Sequence, residues 1–480
     1  MTASYSMWVA GKPVEGTESL EVRSPYDGRV VGTTSWATSE QVEEAVAAAF
    51  AVRNEAAGLP IYARADALAA VSARIAERAE ELAQLITAEN GKPLVWSRAE
   101  VGRAVSVFRI AAEETRRWSG EAMRLDTDKA AEGRMAYVRQ VPKGVVLAIT
   151  PFNFPLNLVA HKVAPALAVG APVVIKPAPK TPLSALVLTE IIAETDLPPG
   201  MVNVVNVKNE DAAALVADER MPVVSFTGSG GVGWDIERAV PHKHVTLELG
   251  GNAAAVVCDD WSGEADLDWA ATRLATFSNY QGGQSCIGVQ RVFVAEGLYD
   301  DFKSRLVAKV QGLAVGDPAD GATQVGPVIN EDAARRIVGW VQEAVSGGAT
   351  LLTGGGRSGT SLEPTVLEGV APDAKVACEE VFGPVMLLDR VADVDAAFAK
   401  VNNSVYGLQA AVFTHSLQTA FAAHRALEVG GVIVGDTPSY RADQMPYGGA
   451  KESGVGREGI RYAMQDFTYE RVLVLTGLPL

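Results

Sequence analysis

From Lys143 onward the chain alternates short, near-continuous apolar runs with helical patterns, and this texture restricts the fold more than any other feature. "GVVLAIT", "PVVIKP", "VNVVNV", "PVVSFTG" and "VTLEL" are β-rich runs, separated in several places by helical patterns such as "PLSALVLTEIIAET" and "EDAAALVADE". Strands that are apolar on both faces and alternate with helices belong in a parallel sheet covered on both sides, so a doubly wound α/β fold is expected. The texture resumes after Cys286 with "QRVFVA", a helix around "YDDFKSRLVAKVQ", then "AAVFT" and "GGVIVGD". At 480 residues the chain exceeds what one hydrophobic core serves, and the two stretches predict two such domains.

Ahead of this region, turn signals such as "SPYDGRVVG" predict a few short strands, followed by long helical patterns. One pattern carries Leu68, Val71, Ile75, Leu82 and Leu85 at helical spacing and stops at Asn90-Gly91, with Pro93 just beyond. A second runs through Val101, Val105 and Phe108. Two strand-like stretches, "RMAYVRQVP" and "DFTYERVLVLTGL", have no partner nearby in sequence and together would make a small sheet that meets another subunit. The expected boundaries are residues 1–120 and 143–252 for a dinucleotide-binding domain and 253–437 for a catalytic domain. Residues 121–142 and 465–480 would form oligomerisation strands.

Composition narrows the function. Apolar content of 48% and charged content of 21% suit a soluble globular protein, and no apolar run reaches the ~18 residues of a membrane span. The opening "MTASYSMWVAGK" lacks the basic and apolar blocks of a signal peptide, and three cysteines argue for a reducing cytoplasm rather than a disulfide framework. A net charge of −16 argues against nucleic acid as a partner. A small-molecule enzyme is expected.

Several motifs carry chemistry. "SFTGSGGVG" places Gly228, Gly230 and Gly233 as G-x-G-x-x-G between a strand and a helix, where glycines let backbone amides approach a pyrophosphate. Glu248 in "LELGG" lies about 20 residues on, where the generic fingerprint wants a ribose ligand; a carboxylate ending an apolar strand equally suits a general base, or an ion pair with a lysine. "TPFNFPLN" surrounds Asn153 with aromatics and prolines, suiting either an oxyanion-binding amide or a structural turn. "KPAPKTP" puts Lys176 at a strand end, and "EEVFGP" offers Glu379 and Glu380 beside Phe382. In "GGQSC", Cys286 stands behind a flexible turn, presented rather than packed. The five histidines and the cysteines show no metal-ligand spacing, so no metal is expected.

In this order, "TPFNFP", "VVIKPAPKTP", "FTGSGGVG", "LELGGN", "GGQSC", "EEVFGPV" and "MPYGGAKESGVGREG" resemble the aldehyde dehydrogenase superfamily, and more narrowly its non-acylating lactaldehyde and semialdehyde branch. The resemblance covers essentially the whole chain. It implies NAD- or NADP-dependent oxidation of a small, polar aldehyde to its acid, by a homo-oligomer. Cys286 would be the nucleophile, Asn153 and the Cys286 amide the oxyanion donors, and Glu248 the base that activates water against a thioester. Thr150, Phe152, Lys176, Gly228, Ser229, Gly233, Glu380 and Phe382 would hold the cofactor, Lys176 and Glu380 through its two riboses. Pro179 and Lys180 stand where many NAD-preferring members carry Glu three residues after the lysine, which leaves NAD and NADP both open. Asn157, Arg103 and Arg441 lie where the branches using oxygenated or anionic aldehydes keep substrate-reading residues, although arginines in surface or interface pairs would look the same. Ser285, before the cysteine, departs from the arginine of phosphate-handling branches. Two alternatives stand beside this reading: an acylating enzyme that passes the thioester to coenzyme A, which the presence of Glu248 opposes, and a catalytically silent structural relative.

Overall fold

The computed structural model describes residues 3–477; the end of the expected last strand segment, 478–480, lies outside the described residues. Two large sheets organise the chain. The first has eight strands in the order Gly454–Val455, His244–Glu248, Val223–Thr227, Val146–Ile149, Val173–Lys176, Val202–Val204, Met7–Val9 and Lys12–Val14. Its five central strands are parallel, and the flanking ones antiparallel. The central strands are buried throughout except where His244–Glu248 begins, which is why their sequences read as unbroken apolar runs. The helices Asn157–Val169 and Leu183–Ala193 supply Val159, Val163, Leu186 and Ile191 to the core on one face.

The chain enters this sheet at Val146–Ile149, proceeds outward through Val173–Lys176 and Val202–Val204, then returns to add Val223–Thr227 and His244–Glu248 on the other side. The order therefore reverses between Val146–Ile149 and Val223–Thr227, and the loops leaving those two strands diverge. Such a crevice at the carboxyl ends is where open α/β sheets bind ligands.

The second sheet has seven strands, in the order Thr350–Thr353, Thr365–Glu368, Val385–Val391, Arg291–Ala295, Ala254–Val257, Gln409–Phe413 and Gly431–Val434. All neighbours are parallel except the first pair. The helices Glu264–Asn279 and Tyr299–Gln311 pack Leu274, Phe302 and Leu306 against it. The two strand-like stretches without local partners do pair: Thr468–Thr476 runs antiparallel to Arg134–Pro142, and Glu121–Arg124 adds a third strand. A fourth, small sheet joins Ala3–Ser4, Val30–Trp36 and Glu18–Arg23.

Three expectations need correction. The pattern over Leu68 to Leu85 is two helices, Ile61–Glu77 and Ala79–Asn90, broken at Arg78, whose guanidinium binds Glu81 at 2.7 Å and Glu190 at 2.9 Å. The second helix ends as predicted, with Gly91 left-handed at φ 77°. It delivers Glu89 to the start of Leu183–Ala193, accepting from the Leu183 and Ser184 amides at 2.8 and 3.0 Å. "EDAAALVADE" keeps only Ala212–Ala217 as α-helix. Residues 438–464, outside all the expected boundaries, cross back from the second sheet to the first. There Gly454 and Val455 pair with Glu248 and Leu247, and the helix Ile460–Asp466 joins the first core. A two-residue strand set in "ESGVG" has no apolar run to announce it.

One ion pair fixes the helix that faces the crevice. Lys92 and Glu100 pair with no exposed side-chain surface on either, and Glu100 also accepts from the Leu156 and Asn157 amides, both at 3.0 Å. Breaking a buried pair by removing one partner leaves an uncompensated charge. Lys92→Met is therefore expected to cost about 3–5 kcal/mol in urea unfolding. Adding Glu100→Gln should return part of that loss; a single substitution without effect would contradict this account.

Candidate active site

A cavity of about 780 Å³ opens over the carboxyl ends of the first sheet, at the reversal of strand order. Thr150, Phe152 and Asn153 reach it from the loop after Val146–Ile149, Lys176 from the end of its strand, and Gly228 and Ser229 from the turn after Val223–Thr227. The helix Gly230–Ala239 begins at this turn with no side-chain cap on its first N–H groups, which suits an anion. Lys176 is buried; its ammonium donates to Asn209 Oδ1 at 2.9 Å, and burial pushes its pKa down to about 8. Glu380 enters from the facing loop, where burial pushes its carboxyl up to about 7 and the Gly251 amide donates to it at 2.9 Å. Phe382, left-handed at φ 50°, sets its ring edge-on to Phe152, with centroids 5.8 Å apart. Gly233 does not line the cavity: it lies inside the helix, where a Cβ would collide with Leu249. It permits helix and strand to approach, the packing role of the third glycine in the fingerprint. Lys180 is exposed and outside the cavity lining.

A second cavity, of about 280 Å³, lies between the first sheet's helices and the second sheet's loops. Cys286 and Glu248 line both cavities and so stand at their junction. Gln281, Gly282 and Gly283 are successively left-handed, at φ 45°, 69° and 72°, and bend the chain toward Cys286. Glycine is required at position 283, where a Cβ would meet the Gly383 carbonyl of the loop carrying Glu380 and Phe382. Burial pushes the Cys286 thiol up to about 12 against the lowering effect of Tyr447, whose hydroxyl lies 3.1 Å from Sγ. The Asn153 amide donates to the Gln284 carbonyl at 3.0 Å, beside the cysteine loop, which leaves its second N–H free. Cys258, by contrast, is buried at a strand end, and Cys378 is exposed.

Glu248 ends its strand with 3% exposure and finds no hydrogen-bond partner for either oxygen among the described residues. It is not paired with a lysine. Burial, and then the charge of nearby Glu458, pushes its carboxyl well above the usual range. Against its own burial, Glu458 is held well below that range by Lys162 and Arg441, at 3.0 Å each.

The smaller cavity gathers the expected substrate residues. Asn157 is buried, and neither end of its amide is hydrogen-bonded among the described residues. Arg441 lies over the Tyr447 ring at 3.7 Å and donates from Nη2 to Glu458, while its Nε is buried without a partner among the described residues. Arg103 donates to Asp443 Oδ1 through Nε at 3.1 Å and Nη2 at 2.8 Å. Both arginines are thus ion-paired, as the plainer reading expected, but inside the cavity. His161, pushed down to about 4 by burial and by Arg441, is neutral; it accepts from Arg441 at Nδ1 and donates to Asp443 from Nε2.

Sequence reasoning missed Tyr447, Lys162, Glu458 and Asp443 as site residues. A signal existed for the lysine: "NLVAHKVAPALAV" is buried along its whole length, so a lysine within it demands an anionic partner. Nothing local marked which residue that would be.

Comparison with known proteins agrees with this geometry. The family model described as "Aldehyde dehydrogenase family" matches residues 8–473. A 3-sulfolactaldehyde dehydrogenase from Priestia aryabhattai is 41% identical over 473 residues, 98% of each chain. The solved structure of aldehyde dehydrogenase 21 from Physcomitrella patens, in complex with the reaction product succinate, superposes with a TM-score of 0.98 at 45% identity, covering 100% of this chain and 99% of that one. A glyceraldehyde-3-phosphate dehydrogenase from Methanocaldococcus jannaschii, complexed with NADP, gives a TM-score of 0.91 at 35% identity over 96% and 100% of the chains. With its two doubly wound sheets and a family match along nearly its whole length, this chain belongs to the aldehyde dehydrogenase family.

Proposed function

We propose that the chain oxidises a small aldehyde bearing a hydroxyl and an anionic group to the corresponding acid, using NAD or NADP, with Cys286 as nucleophile. The observation that carries the reading is the junction: a thiol and an unpartnered carboxyl group stand between a nucleotide-sized cavity and a smaller, largely apolar one that Asn157, Arg103 and Arg441 reach. The cofactor fits the larger cavity, because its wall offers an uncapped helix N-terminus for a pyrophosphate and Lys176 and Glu380 for two riboses. The dinucleotide, when bound, supplies the hydride acceptor. Lys176 has an amide partner rather than a carboxylate, so nothing beside it repels a 2′-phosphate.

In this mechanism the Cys286 thiolate attacks the aldehyde carbon, and the free Asn153 N–H with the Cys286 amide receives the oxyanion. Hydride departure leaves a thioester on Cys286. Glu248, whose burial raises its carboxyl above the usual range and makes it a stronger base, takes a proton from water as that water attacks the thioester, and the acid is released with the thiol restored. The water-activating carboxylate supports hydrolysis over transfer to coenzyme A. Asn157 offers a free donor and acceptor to a substrate hydroxyl, and Arg441 Nε a donor to a carboxylate or sulfonate. The relatives named for sulfolactaldehyde and crystallised with succinate support an anionic substrate.

The three-stranded sheet supports a homo-oligomer. Its strand Thr468–Thr476 is an edge, with Val472, Leu473 and Val474 each at least half exposed.

Four outcomes test these statements. Reduced-cofactor absorbance across apolar, hydroxy and carboxylate- or sulfonate-bearing aldehydes should favour the anionic hydroxyaldehydes and vanish in Cys286→Ala. Arg441→Met or Asn157→Leu should raise KM for them about tenfold or more while sparing propanal. Glu248→Gln should give one burst of reduced cofactor and then a rate lower by about 10²–10⁴, with the acyl-enzyme visible by intact mass and cofactor affinity unchanged; lost cofactor affinity with turnover preserved would return Glu248 to the ribose. Truncation after Tyr469 should yield monomer or aggregate in light scattering, and an unaltered assembly would exclude the sheet as the interface.

A further inference from the structure

Tyr447 lies outside the roles assigned above, yet its hydroxyl is the only side-chain hydrogen-bond partner of Cys286 Sγ among the described residues, at 3.1 Å. Its placement is rigid. The side chain is 4% exposed and packs with Ile287 and Leu408, against which Cys286 also lies. Its backbone is fixed from both sides, since the Tyr447 N–H donates to the Glu458 carbonyl at 3.0 Å and the Glu458 N–H donates back at 2.7 Å. Over the ring, the Arg441 guanidinium lies 3.7 Å from the centroid. A cation on that face attracts the π electrons and leaves the phenolic O–H a stronger donor.

The other groups around the sulfur cannot take this part. Glu248 and Glu380 oppose a negative charge on Sγ, and the Tyr280 hydroxyl is committed to Ser285 Oγ at 2.6 Å. Arg441 favours that charge but is held by Glu458 and His161. The thiol therefore stands in an apolar, acid-flanked position with one oriented dipole available to it.

We infer that Tyr447 is a further catalytic residue of the Cys286 chemistry: its O–H donates to the Cys286 thiolate and, with Arg441 on its ring, sets the pH at which the nucleophile forms. This rests on Cys286 being the nucleophile. Ionisation releases the thiol proton to solvent, and the Tyr447 proton stays on its oxygen while hydrogen-bonded to sulfur. When the sulfur becomes acylated and loses its charge, that O–H is freed for the substrate oxygens in the same cavity.

The test is alkylation of Cys286 by iodoacetamide, with neither cofactor nor aldehyde present, followed against pH on the Cys286 peptide by mass. Only the thiolate displaces iodide, so the rate rises with pH through the thiol's ionisation. In Tyr447→Phe the curve should move to higher pH by about one unit or more, which lowers the rate at a given pH below the inflection about tenfold. The turnover rate at neutral pH should fall likewise and recover as pH rises. An unmoved curve overturns the assignment. A curve moved to lower pH also overturns it, because it would mean that Tyr447 accepts from the neutral thiol. A uniform loss of rate at every pH would mark a packing role only. If Cys286→Ala retains full turnover, the nucleophile assignment itself fails, independently of the Tyr447→Phe result.

Discussion

Lys162 has no exposed side-chain surface, and its ammonium sits within the first core, on a helix buried on every side. A charge there is tenable only because Glu458 and the Ser225 hydroxyl meet it, at 3.0 and 2.9 Å. Much follows from that requirement. Glu458 arrives from a segment whose flanks also bring Arg441, Asp443 and Tyr447, and whose two-residue strand joins the first sheet beside Glu248. The segment comes directly from the last strand of the second sheet, so the pairing of one lysine draws both sheets together around the junction of the two cavities.

Electrostatics at that junction follow from the exclusion of water. Burial pushes Cys286, Glu248 and Glu380 toward their neutral forms. Arg441 is held in its charged form by Glu458 against its own burial, and Arg103 pairs with Asp443. The result is a pocket with paired arginines at one end and the Cys286 thiol and Glu248 carboxyl at the other. An anionic aldehyde entering between them meets free N–H groups on Arg441 and Asn157 without displacing an existing ion pair. Burial of the unpaired Asn157 amide costs stability in the free protein. A side chain that can pay back this cost only when a polar ligand arrives is a selectivity device.

Much of this was legible in the sequence, and the exceptions share a cause. The parallel sheets were visible because strands buried on both faces must be apolar throughout, and Gly91 and Pro93 ended a helix where their backbone preferences require. Cys286, Glu248, Asn153 and the cofactor-cavity residues lie on or beside strand ends, so a strand pattern places them. The break at Arg78 left no mark, since the apolar spacing continues through it. The return of residues 438–464 to the first sheet, and the set of Lys162, Glu458, Arg441 and Tyr447, depend on contacts across hundreds of residues. Lys162 stands out within its apolar helix, but Glu458, Arg441 and Tyr447 each look alone like an ordinary surface charge or a core aromatic.

The Gly283 contact with the Gly383 carbonyl has a meaning for divergence as well as for geometry. One backbone wedge locks the loop of Cys286 to the loop of Glu380, so neither position can drift without the other. The side chain of Asn157 meets the cavity with no such constraint, whereas Arg103 and Arg441 are held there by Asp443 and Glu458. A substitution at 283 therefore disturbs both loops at once, whereas one at 157 removes an amide that holds no other part of the site in place.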